Sequence, residues 1–153
     1  MIGNLCFARA ALLALTMAAV SLAASAGQYE KRSTEAARPI QSATDAGKVE
    51  RIDFNQGNIK IWLLKDGTWW LQGKIQHRGL RCADYKLGAR FGIGERGCEE
   101  VAWQGDVQFV AQTTLCNNAT ANPAGSATDP DLAQQLDKIS CVERVLRCSG
   151  KCD

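Results

Sequence analysis

The chain has 153 residues, 46% of them hydrophobic, with 18 basic and 16 acidic side chains, seven cysteines and one histidine. A net charge of +2 gives no overall field for a polyanion, so nucleic acid is not an expected partner. One histidine and no C-x2-C pair leave no structural-zinc spacing, so neither a metal site nor a cofactor is expected.

Met1–Arg9 carries a single positive charge, and Ala10–Ala24 is nearly unbroken Ala, Leu, Val and Met. Ala24-Ser25-Ala26 then places small residues where a signal peptidase reads them. The segment 1–26 is therefore expected to be a cleaved signal peptide and the protein periplasmic or secreted, with no membrane span after cleavage. Cys6 leaves with it. The remaining 127 residues (153 less 26) suit one domain and hold six cysteines: Cys82, Cys98, Cys116, Cys141, Cys148 and Cys152. An even count behind an export signal reads as a disulfide framework. The signal's alanine content looks bacterial.

Residues 27–48 are polar, Ala- and Ser-rich and without a period, and are expected to form a flexible segment ahead of a single domain over 49–153. Val49–Phe54 resumes an apolar beat and suits a first strand. The hairpin at 58–77 gives the clearest signal in the chain. A two-residue Asp66-Gly67 turn would leave both faces mixed. A Lys65-Asp66-Gly67 loop instead puts Ile59, Ile61, Leu63, Trp69, Leu71 and Ile75 on one face, with Gly67 where a left-handed residue is needed. A one-residue slip turns every side chain over, so the all-apolar face selects the second register. The other face carries Lys60, Gln72, Lys74 and Gln76 around Trp62 and Trp70, which fall opposite each other.

Lys74–Arg96 holds six basic side chains against Asp84 and Glu95, read here as a solvated stretch with local pairing. Within it Gly92-Ile93-Gly94-Glu95-Arg96-Gly97 spells G-x-G-x-x-G, but a β-like run follows where a dinucleotide site needs a helix. A tight loop or bulged strand is expected instead. Val101–Leu115 alternates cleanly, and its constant parity across Gly105 favours one bent strand. Residues 117–128 are a loop by composition, and Asn118-Ala119-Thr120 has the form of a glycosylation acceptor without bacterial significance. Asp129-Pro130 opens a helix that Leu132, Leu136, Ile139 and Leu146 carry on to Gly150. The expected bridges are Cys82–Cys98, Cys116–Cys141 and Cys148–Cys152.

No nucleophile–base signature occurs, His77 has no sequence partner, and Glu99-Glu100 point to opposite faces of a strand. No catalytic residue is assigned; His77 is expected at a strand end near water. The fold class is α+β: a small antiparallel sheet of about four strands with one C-terminal helix, disulfide-stapled. The helix is expected to cover the Trp62/Trp70 face. The preferred function is a non-enzymatic protein-binding module of the bacterial envelope, inhibitor- or immunity-like, with Trp62, Trp70, Lys60 and Lys74 as binding residues. A structural or accessory subunit tethered by 28–48 is the alternative, and an enzyme with a site around His77 the second. The sequence sets no oligomeric state.

Overall fold

The computed structural model describes residues 30–34, 37–44 and 47–152; the expected signal peptide lies outside them. Strands β1 (Glu30–Thr34), β2 (Arg38–Pro39), β3 (Gln41–Thr44) and β4 (Gly47–Phe54) precede the hairpin of β5 (Gly57–Leu64) and β6 (Thr68–Gln76). Then come β7 (Ala83–Glu95), β8 (Glu100–Trp103), β9 (Gln108–Leu115), β10 (Thr120–Ala121) and β11 (Ala124–Thr128). A short helix, α1 (Pro130–Gln135), and β12 (Cys141–Gly150) complete the described chain.

The hairpin pairs Leu63 with Trp69, Trp62 with Trp70 and Ile61 with Leu71, the register its apolar face selects. Gly67 adopts φ 79° and its N–H donates to Leu64 O, so the loop is Lys65-Asp66-Gly67. Ile59, Ile61, Leu63, Trp69, Leu71 and Ile75 are each at most 1% exposed. Burying such side chains stabilises by roughly 1.5–3 kcal/mol each.

Two antiparallel sheets of six strands each, not one of about four, account for the described residues. The first runs β1-β12-β7-β8, with β2 also on β12 and β9 also on β7; the second runs β10-β6-β5-β4-β3, with β11 also on β6. Their inner faces form one core, in which Trp69 meets Phe91 edge-on at 5.4 Å and Tyr85, Leu87, Val142 and Leu146 lie opposite the hairpin. The arrangement is a sandwich.

The expected C-terminal helix is the main correction. Asp129 caps as its sequence predicts, its side chain accepting from Asp131 N, but the helix ends after Gln135. Residues 141–150 are a strand between two neighbours, β7 on one side and β1 and β2 on the other. Val142 and Leu146 face the core while Cys141 and Val145, also buried, lie on the opposite face. With both faces buried the strand shows no period-two alternation, and the spacing of its apolar residues alone does not separate it from a helix.

Three further expectations change. Residues 27–48 carry β1–β3, edge segments held by backbone ladders that need no apolar pattern. Val101–Leu115 is two strands, because the chain turns at Gly105 with φ 90°. The 117–128 loop contains β10 and β11, built from small residues. Gly125 belongs there because a Cβ on it would lie 1.8 Å from Val110 O.

Disulfides join Cys82 to Cys116, Cys98 to Cys141 and Cys148 to Cys152. Only the third follows the expected pairing. Cys82 and Cys98 flank opposite ends of the 13-residue β7, about 40 Å apart at strand rise. Ala83 instead pairs with Leu115, which sets Cys82 beside Cys116 with Cα atoms 4.1 Å apart.

Candidate functional site on the outer face of the second sheet

Side chains that are direct cross-strand partners share a face. On the outer face of the second sheet one such row runs Val49, Trp62, Trp70, Ser126 across β4, β5, β6 and β11. The next row is Arg51, Lys60, Gln72, Ala124. Trp62 and Trp70 are half-buried, with rings stacked 3.7 Å apart and 4° from parallel. The Lys60 ammonium stands 4.9 Å from the Trp62 ring, a cation–π contact.

The helix stripe expected over this face lies in the core instead, where Leu132, Leu136 and Ile139 are buried. Of the four sequence-derived binding residues the structure joins three, Trp62, Trp70 and Lys60. Lys74 is exposed on the same face, four residues along β6 from Trp70 and about 13 Å away.

A shallow hollow of about 490 Å³ adjoins Trp70, lined by Thr68, Leu71, Ala124, Gly125 and Ser126. At its end the hydroxyls of Thr68 and Thr128 are 3.1 Å apart and hydrogen-bonded. Ser126 and Thr128 carry no sequence signal of their own; they join the site only because β11 docks on β6.

His77 is fully buried rather than near water. Its Nε2 lies 2.7 Å from Arg81 O, and a carbonyl only accepts, so Nε2 carries the proton. In the neutral ring Nδ1 then accepts from the Tyr85 hydroxyl at 2.8 Å. Both ring nitrogens are engaged in fixing the turn between the sheets. The inner side of β4 carries two polar groups: burial pushes the Glu50 carboxyl up, partly offset by Arg38, and pushes the Lys48 ammonium down, partly offset by Asp137. Lys48 donates to Ile139 O.

The G-x-G-x-x-G run is a strand entering a turn. Gly94 leaves room for the Cys98–Cys141 bridge, since a Cβ there would lie 2.1 Å from Cys141 Sγ. In the basic stretch Arg90 pairs with Glu143 and lies over the Trp103 ring at 4.0 Å. Glu99 and Glu100 are exposed. Among the described residues no group of three or more His, Cys, Asp or Glu could hold a metal, and no helix is long and apolar enough to cross a membrane.

No protein-family model and no curated protein matches the chain. Among solved structures it is similar to the CBM22-1–GH10 modules of the Clostridium thermocellum endo-1,4-beta-D-xylanase 10B complexed with xylohexaose. Identity is 9% over 80% of this chain and 26% of that one, with a TM-score of 0.30. It is also similar to the enzymatically active domain of tailspike protein 4 of Bacteriophage CBA120, at 9% identity over 80% of this chain and 17% of that one, TM-score 0.24. This chain spans about a quarter and about a sixth of their lengths. Likeness at this level assigns neither fold nor activity.

Proposed function

We propose that this protein is an exported, non-enzymatic binding module whose recognition surface is the outer face of the second sheet. The observation that supports the reading is the Trp62–Trp70 stack, two large aromatic side chains left partly exposed on a sheet with polar groups around them. Tryptophan supplies large contact area at low conformational cost, which is why a few such residues dominate binding surfaces. Lys60, Gln72 and Lys74 form the polar rim.

The other two functions expected from the sequence gain no such support. Tethering of an accessory subunit relied on a flexible 28–48, and that segment carries strands. An enzymatic role for His77 requires a ring nitrogen facing substrate, and both face protein groups.

The test is retention of envelope-extract components, protein and glycan scored separately, on the immobilised mature protein and on its Trp62→Ala/Trp70→Ala variant. A component held by the first and lost by the second, with melting temperatures within a few degrees, is the expected result. Retention indifferent to both substitutions would sink the proposal.

A further inference from the structure

We infer that the hollow beside Trp70 is a subsite for a neutral pyranose ring of a glycan; this rests on the binding surface proposed above and names its ligand class. Trp62, Trp70 and Ser126 are consecutive partners across three strands, so the stacking axis runs across the sheet. One face of the Trp70 indole is covered by Trp62 at 3.7 Å. Its other face therefore looks toward β11, and the hollow lies on that side, over Gly125 and between Ala124 and Ser126. The row Trp62, Trp70, Ser126 reads as two aromatic plates followed by a vacant third position.

The chemistry around that vacancy selects the occupant. Its wall is an indole face, which the C–H face of a sugar ring or another flat apolar group can cover. Polar groups accompany it: Thr68, hydrogen-bonded to Thr128, and Ser126 line the hollow, and Gln72, cross-strand from Ala124, is the next outer residue along β6. A pyranose presents apolar C–H bonds on its faces and hydroxyls around its rim, matching both sets at once. A lone aliphatic side chain would use the wall and leave the hydroxyls to water. None of the residues lining the hollow is charged, which fits a neutral ring. The small side chains of β11 serve packing on one side, where Gly125 meets Val110 O, and leave the slot open on the other.

The experiment titrates the oxidised mature protein separately with cellohexaose, chitohexaose, mannohexaose and, as a flat aromatic control, indole. Tryptophan fluorescence and the amide resonances of Ser126 and Gly125 are read together. At least one hexasaccharide is expected to shift both at millimolar concentration. Filling the slot from the exposed Ser126 by Ser126→Leu should weaken that binding at least tenfold, about 1.4 kcal/mol, with the fold intact. Trp70→Ala should do the same. No response to any hexasaccharide, binding unchanged in Ser126→Leu, or tighter binding of indole than of every hexasaccharide would each overturn the inference. If the Trp-dependent component of the extract is a protein and the saccharides fail, the glycan inference falls and the binding module stands. If neither assay depends on Trp70, both fall.

Discussion

Removing the three disulfides one pair at a time should produce a defined ranking of stabilities. In the chain-entropy model a cross-link stabilises by 298 K times (2.1 + 1.5R ln n) cal/mol/K, where n is the length of the closed loop. The separations are 34 for Cys82–Cys116, 43 for Cys98–Cys141 and 4 for Cys148–Cys152. These give about 3.8, about 4.0 and about 1.9 kcal/mol. Alanine pairs are the suitable replacement, because Cys98, Cys141 and Cys148 are buried and serine would leave a hydroxyl there. Urea unfolding of the three double variants under non-reducing conditions, with m held comparable, reads the differences directly. The Cys148→Ala/Cys152→Ala protein should outlast the other two by about 2 kcal/mol. If it proved the least stable of the three, loop closure would not be what these bridges contribute. A peptide map of the oxidised protein that joined Cys82 to Cys98 would contradict the sheet register itself.

Other substitutions probe contacts described above. Gly125→Ala should cost about 1–3 kcal/mol in urea unfolding, because its methyl meets a backbone oxygen that no side-chain rotation can remove. Gly97→Ala, where nothing lies within 4 Å, isolates the cost of a positive φ alone. His77→Phe should destabilise by roughly 1–3 kcal/mol by removing the hydrogen bonds to the Tyr85 hydroxyl and to Arg81 O, and deuterium uptake should rise first over 77–82. Glu50 has its carboxyl pushed up by burial, so the folded state binds a proton more readily than the unfolded one. Its contribution is therefore present in acid and lost as pH rises through the raised value. The gain from Glu50→Gln should accordingly be larger at neutral pH than at the acid edge of the carboxylate range. A gain that grew toward acid would reverse the sign.

The hairpin was legible because two signals agreed. Period-two alternation selects the Lys65-Asp66-Gly67 loop, Gly67 suits its left-handed position, and from that register Trp62 and Trp70 meet. β12 was not legible, since both of its faces are buried and apolar and charged residues fall on each, so no alternation shows. The cap at Asp129 was real and gave no sign that the helix would stop at Gln135. β1, β10 and β11 are held by ladders from β12 and β6, so their own side chains hold little pattern to read. Cysteine pairing inherited these errors, because which sulfurs meet depends on which strands are neighbours. Half of the candidate site shared that fate: the tryptophans follow from the hairpin alone, whereas Ser126 and Thr128 enter only with β11.

The position of β12 also sets an order of events in folding. Strands β3 to β6 are neighbours both along the chain and in their sheet, so they can zip together once residue 76 is free. The first sheet cannot close in the same way, because β12, one of its two interior strands, is the last to arrive and must insert between β1 and β7. Until then the layer opposite Ile61, Leu71 and Trp69 lacks Val142 and Leu146 and is incomplete. A chain ending before Cys141 should keep hydrogen-exchange protection in β4 to β6 and lose it in β7, and protection throughout β7 would show that the first sheet closes without its final strand.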